Sequence, residues 1–170
     1  MRYQLVDRLI DVDPGRQIRM VKALTLGEEY LADHFPTFPV MPGVLMLQTL
    51  VETAAWLLRL TDDYRHSVIV LREARNVKYG NLMEPGKRLV LTVEIAEAAI
   101  SPDQPLVTFK GKGEQEGLPT VSAKLTVARY NLADRDPRFK VIDEQIVARL
   151  RARYLLLSGA LSHSAKEEKG

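Results

Sequence analysis

The chain has 170 residues, 46% of them hydrophobic, a length and composition suited to one compact domain with an appendage. It contains no cysteine, which excludes disulfide bonds, thiolate metal sites and a cysteine nucleophile, and which fits a reducing compartment. The 24 basic and 22 acidic residues give a net charge of +2, too balanced to indicate a nucleic-acid-binding protein.

Neither a signal peptide nor a membrane span is expected. The first dozen residues include Asp7 and Asp11 and have no apolar core, unlike a secretory signal. The most apolar stretch, 40–60, contains Pro42, Gln48 and Glu52, whereas a bilayer span needs about 20 residues with few or no charges. The sequence therefore predicts a cytoplasmic protein without a transmembrane segment.

The pattern of apolar residues predicts one long helix among short antiparallel strands. Two strands, 4–12 and 16–24, flank the turn signal at Asp13-Pro14-Gly15, and a proline-rich loop then leads to Gly43. The run 43–60 is rich in Leu, Ala and Met on almost every face, which predicts a helix buried nearly all round. Turn signals separate four further predicted strands, at 67–79, 88–98, 105–114 and 119–130. We expect an α+β fold in which one antiparallel sheet wraps this helix.

The last forty residues differ from the rest and predict a separate helix. Asp136-Pro137 is a start signal and Gly159 a stop signal, so we divide the chain into a domain at 1–132 and an extension at 133–170. The expected apolar stripe comprises Phe139, Ile142, Ile146, Leu150 and Leu157. This basic helix either packs that stripe on the sheet or contacts a partner or anionic lipid.

Three polar residues near the start of the long helix are the best candidates for chemistry. His34 opens the proline-rich loop, and Gln48 and Glu52 lie one helical turn apart on one face. Burying the latter two would be costly unless they are hydrogen-bonded or line a wet cavity, so they either serve structure or a site. We interpret His66 and His163 as solvated bystanders.

The segment HFPTFPVMPGVLMLQTL resembles the active-site segment of the FabZ and FabA β-hydroxyacyl-(acyl carrier protein) dehydratases. The flank REARNVKYGNLMEPGKRLVL and the closing strand pair are also similar, although Lys87 stands where that family usually has Asp. The resemblance runs from about Val6 to Tyr130. It implies a hotdog fold, a homodimer or a trimer of dimers joined through sheet edges, no cofactor, and a place in fatty acid biosynthesis.

The resemblance also implies roles for individual residues. His34 of one subunit would face position 48 of its partner and act as the base, while the backbone N–H of Gly43 would stabilise an oxyanion. The family's acid position holds Gln48, and an amide cannot supply a proton. The expected substrate-binding residues are Phe35, Phe38, Met41, Pro42, Val44, Leu45 and Leu47.

Several interpretations of the missing acid stay open. Glu52 could supply the carboxyl, or His34 could make both proton transfers while Gln48 orients a water. The protein could instead be a hotdog acyl thioesterase, or a non-catalytic subunit that binds an acyl thioester. The substrate would be carried by acyl carrier protein or coenzyme A, and the C-terminal helix could cover the mouth of the acyl tunnel or dock the carrier. The cations expected to dock an acidic carrier are Arg72, Arg75, Lys78 and Arg88, unless they are ordinary strand-edge charges.

Overall fold

A computed structural model describes residues 4–97 and 100–159 of the chain. Within these residues it has six strands and two long helices, in an order close to the one that the sequence predicts. The strands are β1 (Arg8–Asp13), β2 (Gln17–Ala23), β3 (Val68–Tyr79), β4 (Arg88–Ile95), β5 (Leu106–Gln115) and β6 (Leu118–Tyr130). The helices are α1 (Gly43–Thr61) and α2 (Lys140–Ser158). His163 and the polar tail lie outside the described residues.

All six strands form one antiparallel sheet in the order β1-β2-β4-β5-β6-β3. Strands β5 and β6 are joined through Glu116 and Gly117, which have φ angles of 52° and 80°. Two successive left-handed residues form the hairpin turn that matches the twist of the strands, and Gly tolerates this backbone without strain. Strand β3 follows α1 in the chain but pairs with β6, so β1 and β3 are the two edges of the sheet.

The inner face of the sheet packs against α1 and forms the core. Alternate residues of β4 and β5 are buried, which is the pattern of strands with one face on a core and one toward solvent. The α1 residues at the centre of this core include Leu50, Ala54, Leu57 and Leu58, each fully buried. Gly111 leaves little room for a side chain, because an added Cβ there would lie 3.3 Å from Leu50.

One side of α1 is not covered, which corrects the expectation of a helix buried nearly all round. Val44 is 69% exposed, and Gln48 one turn later is also exposed. Helix α1 is long and apolar enough to cross a membrane, yet 61% of its most apolar window is buried inside the protein. Its hydrophobicity therefore serves the core, apart from the exposed strip at its first two turns.

The loop before α1 is held at both of its ends. After β2, the backbone N–H of Leu24 donates to the carbonyl of Lys87. A short 3-10 turn at Glu29–Leu31 then buries Leu31. At the far end Met41 is buried, and its N–H donates to the carbonyl of Met83 at 2.9 Å. The residues between these anchors are the ones that carry His34 to the surface.

Helix α2 begins and ends where the sequence predicts. Asp136 caps the turn at Pro137–Phe139 by accepting from the N–H of Arg138, and Gly159 ends the helix in the left-handed conformation. The predicted apolar stripe is wrong in its first turn, because Phe139 and Ile142 are 42% and 43% exposed. The residues that face the domain are Asp143, Val147, Leu150, Tyr154 and Leu157.

A buried carboxylate determines which face of α2 packs against the domain. Asp143 accepts hydrogen bonds from the Ser67 hydroxyl and from the backbone N–H groups of Leu132 and Ala133. Burial alone would raise the pKa of Asp143, but these three donors outweigh it and hold the pKa below its usual range. With Asp143 turned inward, every third or fourth residue after it faces β1 and the core, and Phe139 and Ile142 point away.

Candidate active site

His34 lies in the loop before α1 and is half-buried. Its ring contacts the ring of Phe35 edge-on, with 4.6 Å between centroids. Phe35 has a φ of 50°, uncommon for a bulky residue, and its carbonyl accepts from the N–H of Phe38. Among the described residues no hydrogen bond is made by the His34 imidazole, so both of its nitrogens are available to a substrate or a partner.

The first turn of α1 offers free backbone donors. Pro42 precedes the helix and supplies no side-chain cap, while its carbonyl accepts from the N–H groups of both Leu45 and Met46. In the part of the chain that the structure describes, the N–H groups of Gly43 and Val44 have no partner. Such donors at the positive end of a helix dipole suit an oxyanion.

Gly43 also lies in close contact with another side chain, which the sequence did not indicate. A Cβ at this position would lie 3.1 Å from the ring of Tyr79, at the end of β3. Tyr79 is 48% exposed, so its ring covers Gly43 on one side and meets solvent on the other. Sequence reasoning missed Tyr79 as a neighbour of the site, because only the pairing of β3 with β6 brings it to the start of α1.

Gln48 and Glu52 are one turn apart but lie in different surroundings. Gln48 is exposed and makes no hydrogen bond among the described residues. Glu52 is partly buried, and its Oε2 accepts from the N–H groups of Leu5, at 2.8 Å, and Val6, at 3.3 Å. Glu52 therefore anchors the segment that enters β1, whereas Gln48 faces away from its own chain.

Burial raises the pKa of the Glu52 carboxyl. The hydrogen bonds from Leu5 and Val6 oppose this rise, as do the positive charges of Arg153 and Arg59. Arg153 belongs to α2 and donates to the carbonyl of Val6 at 3.3 Å. The Glu52 carboxylate thus takes part in a structural junction between the start of the chain, α1 and α2.

The expected substrate-binding residues fall into two groups. Phe35, Phe38 and Val44 are 61%, 52% and 69% exposed, and they lie on the loop and the helix start that carry His34 and Gly43. Pro42, Leu45 and Leu47 are half-buried beside them. Met41 is only 2% exposed and packs in the core, so its place along a substrate path stays a prediction.

The four predicted docking cations are not brought together. Arg72, Arg75 and Lys78 are exposed on the edge strand β3, but Arg88 lies on β4, with β5 and β6 between them. Arg88 therefore does not adjoin the other three cations, and its part in docking a carrier stays a prediction. The spacing of these residues in the sequence gives no information on strand order, and strand order is what separates Arg88 from β3.

Other lysines complete the patch on the outer face of the sheet. Arg75 lies opposite Lys124 on β6, and Lys124 lies opposite Lys110 on β5. Directly opposed residues share one face of a sheet, so these three cations form a row. Lys78 and Lys112 flank Ser122 in the neighbouring row, although Lys112 also pairs with Glu114 at 3.3 Å. The alternation of Lys110 and Lys112 along β5 is the sequence pattern that could have predicted these rows of cations.

His66 is not a solvated bystander, which corrects the prediction for it. Its Nδ1 lies 3.1 Å from Oδ2 of Asp62, and the two side chains are 13% and 7% exposed. Arg129 donates to the same carboxylate oxygen at 3.2 Å. His66 therefore belongs to a buried polar cluster at the end of α1, away from the loop that carries His34.

Solved structures of similar shape define the class of fold. A chain of the dehydratase heterocomplex ApeI:P from Xenorhabdus doucetiae has a TM-score of 0.63 at 14% identity, over 80% of this chain and 89% of that one. A hot-dog-like protein from Thermanaerovibrio acidaminovorans has a TM-score of 0.57 at 16% identity, over 74% and 88%. The sheet that packs around α1 is thus a hotdog fold, as the resemblance implied.

Sequence comparison assigns the family within that class. The model of the FabA-like domain matches residues 1–124. Curated relatives include a 3-hydroxyacyl-[acyl-carrier-protein] dehydratase FabZ from Albidiferax ferrireducens, 36% identical over 77% of this chain and 87% of the relative. The protein of the same description from Janthinobacterium sp. is 34% identical over 78% and 85%. The chain belongs to the FabA-like family, and α2 lies beyond the residues that the family model matches.

Proposed function

We propose that this protein is a hydro-lyase that dehydrates 3-hydroxyacyl thioesters in cytoplasmic fatty acid biosynthesis, with acyl carrier protein as the carrier. The observation that supports this proposal best is the position of His34. It has no hydrogen-bond partner in the described chain, and its loop leads directly to a helix start without a side-chain cap. The curated relatives named FabZ support the reaction class. No group beyond the chain's own residues is needed for the steps proposed below.

The elimination begins with removal of a proton from Cα of the substrate. A neutral imidazole is a suitable base near pH 7, and we assign this step to His34. The electrons left on Cα move into the thioester, and the N–H of Gly43 stabilises the enolate oxygen. The C–O bond to the β-hydroxyl then breaks as the imidazolium of His34 returns its proton to that oxygen. Enoyl thioester and water leave, and His34 is neutral again.

Gln48 takes the position of the acid but supplies only hydrogen bonds. Its carboxamide N–H can donate to the departing hydroxyl and its oxygen can accept from the water formed, which orients the leaving group without protonating it. Glu52 is a poorer candidate for the acid, because its Oε2 already accepts from two backbone N–H groups. Its carboxylate also lies about 6 Å further along the helix, and small displacements of a catalytic group are costly.

A second copy of the chain would complete the site. The exposed strip of α1 at Val44 and Gln48 and the apolar residues of the edge strand β3, with Val70 42% exposed, are surfaces that a second copy can cover. Within one chain no hydrogen bond among the described residues joins His34 to Gln48. We propose a homodimer in which His34 of each chain faces Gln48 of the other.

The carrier would approach the outer face of the sheet. Carrier proteins are acidic, and the row formed by Arg75, Lys124 and Lys110 runs inward from the edge strand β3 across the outer face of the sheet, although Arg75 also pairs with Glu73 at 2.9 Å. Because rim charges act mainly on association rate, charge reversal there should raise KM and make KM less sensitive to salt, without lowering kcat. Coenzyme A thioesters, which do not present a protein surface, should be affected less.

The direct test is an assay of purified protein with a 3-hydroxyacyl and a saturated acyl thioester, each on carrier protein and on coenzyme A. Enoyl product that is lost in His34→Ala supports the proposal. His66→Ala is the matched control for loss of an imidazole, with folding of both variants checked by thermal melting. Full activity in His34→Ala would overturn the site, and thiol release without enoyl product would indicate a thioesterase.

The amide at position 48 favours one other function, that of a partner subunit. In this case the chain would bind the thioester and a different hotdog chain would supply the carboxyl. Gln48→Glu separates the two, because it restores a proton donor where the family has one. Dehydration that appears only in Gln48→Glu, and not in the exposed control Gln145→Glu, would indicate the partner role.

A further inference from the structure

A pocket of about 510 Å³ lies between the end of α1 and α2, away from the loop of His34. This volume is in the range of small-molecule sites. One wall belongs to α1 and the residues just after it, and the other belongs to α2. The lining residues are Arg59, Leu60, Asp63, Tyr64, Arg151, Ala152, Tyr154 and Leu155. Because α2 lies beyond the segment that the FabA-like family matches, the second wall is a feature of this chain's extension.

Arg59 is a positive charge on the pocket wall that makes no ion pair among the described residues, although the charge of Glu52 acts on it. Its guanidinium carbon lies 5.3 Å from the centre of the Trp56 ring, and its Nε is buried without a hydrogen-bond partner. Among the described residues no carboxylate approaches it within ion-pair distance. Burial lowers the pKa of Arg59 to about 10, against the opposing effect of Glu52. An unpaired buried cation is unfavourable, and a bound anion would relieve it.

Tyr64 supplies a second unused polar group on the same wall. The side chain is 7% exposed, and its hydroxyl finds no partner among the described residues. The ring is fixed from outside by Arg151, whose guanidinium lies 4.4 Å from the ring centre and donates to Asp63. A phenol O–H and a guanidinium on one pocket wall are both hydrogen-bond donors, which is the requirement for binding an oxyanion.

The remaining walls are apolar. Leu60, Leu155 and Ala152 line the pocket together with the rings of Tyr64 and Tyr154. The formal charge of the lining residues is positive, since they include two guanidinium groups, of Arg59 and Arg151, and one carboxylate, of Asp63. A ligand that fits both features has an anionic head and a hydrocarbon body. We propose that this pocket binds an amphipathic monocarboxylate, with the carboxylate at Arg59 and Tyr64 and the chain along Leu60 and Leu155.

The chain contains an intrinsic fluorescent probe next to this pocket. Trp56 is the sole tryptophan of the sequence, and its ring lies beneath Arg59 and 6.4 Å from the ring of Tyr154. Titration of the full chain with sodium octanoate should therefore change Trp56 fluorescence in a saturable way. Octanol, which has the same chain length and no charge, should produce at least a tenfold weaker effect, because Arg59 gains nothing from it.

Two variants locate the binding. Arg59→Gln should weaken octanoate binding about tenfold and Tyr64→Phe about threefold, as expected for loss of a charged and of a single hydrogen bond. Tyr64→Phe keeps the ring under Arg151, so it tests the site even if Arg59→Gln folds poorly. Tyr130→Phe, on β6, is the matched control and should bind like the unchanged protein.

Three results would overturn the proposal. One is the absence of a saturable change in Trp56 fluorescence with octanoate. Another is an equal response to octanol. The third is octanoate binding that is unchanged in Tyr64→Phe but lost in Gln48→Ala, which would place the ligand in the candidate active site instead.

Discussion

Asp143→Asn tests whether one buried carboxylate fixes the position of α2. Asp143 is 7% exposed and accepts from the Ser67 hydroxyl and from the N–H groups of Leu132, at 2.9 Å, and Ala133, at 2.8 Å. Asparagine keeps one acceptor oxygen but turns an NH₂ donor toward a backbone N–H. Losing charge-assisted bonds and leaving a buried donor unpaired should cost about 2–4 kcal/mol. For a chain of this size the melting temperature should fall by roughly 5–15 °C.

The effect has a defined pH dependence. Hydrogen bonds from Ser67, Ala133 and Leu132 hold the pKa of Asp143 below its usual range, although burial acts in the opposite direction. A carboxyl with a lowered folded pKa stabilises the fold fully above its unfolded pKa, near 4, and loses that contribution as the pH falls through the folded value. The stability difference between the protein and Asp143→Asn should therefore be constant at neutral pH and shrink below about pH 4.

Urea and thermal unfolding measured from pH 7 down to pH 3 would provide both quantities. Asp136→Asn is the matched control, since it changes a half-buried helix cap and leaves the buried contacts of α2 intact. The Trp56 fluorescence of folded Asp143→Asn should also change, because Tyr154 of α2 packs near that ring. Asp143→Asn with unchanged stability at pH 7, or with a difference that does not shrink in acid, would refute this account of α2.

Substitutions at three further positions follow from the contacts. Glu52→Ala should lower the free energy of unfolding by about 1–3 kcal/mol, because it leaves the N–H groups of Leu5 and Val6 unpaired. Glu52→Gln should keep most of the stability and all of the dehydratase activity. Loss of activity in Glu52→Gln would instead identify Glu52 as the acid. Gly113→Ala should cost about 1–3 kcal/mol in urea unfolding, since the new Cβ would lie 2.8 Å from Val121. Gly43→Ala should displace the ring of Tyr79 and lower kcat more than stability, and unchanged kinetics would remove Gly43 from the site.

Local patterns were sufficient to predict the elements of this fold. The strands were found because period-2 alternation and turn signals such as Glu116-Gly117 are encoded within a few residues. Helix α1 was found because its first residue and its apolar run define it without reference to the rest of the chain. The pairing order of the strands is not local, and for this reason Arg88 was placed with the cations of β3 although two strands separate them.

The candidate site was predicted as far as its residues lie in one segment. His34, Gly43 and Gln48 follow one another on a loop and a helix start, where the imidazole of His34 and the N–H groups of Gly43 and Val44 have no hydrogen-bond partner within residues 4–97 and 100–159. The environment of Glu52 depends on Leu5 and Val6, which are more than forty residues away in sequence. No periodicity could show that this carboxylate is already engaged. The same holds for Tyr79, which reaches Gly43 only through the sheet.

The carboxylate on α1 lies at position 52, where it contacts the same segment of the chain as helix α2 of the extension. At position 52 the carboxylate binds the backbone that enters β1, and Arg153 of α2 donates to the carbonyl of the same Val6. The carboxylate and the extension therefore stabilise one junction, while position 48 is left with an exposed amide. Because an amide cannot protonate a leaving hydroxyl, the proton must come from His34 or from another chain. Position 48 is thus the one residue whose substitution distinguishes a slow dehydratase from a partner subunit.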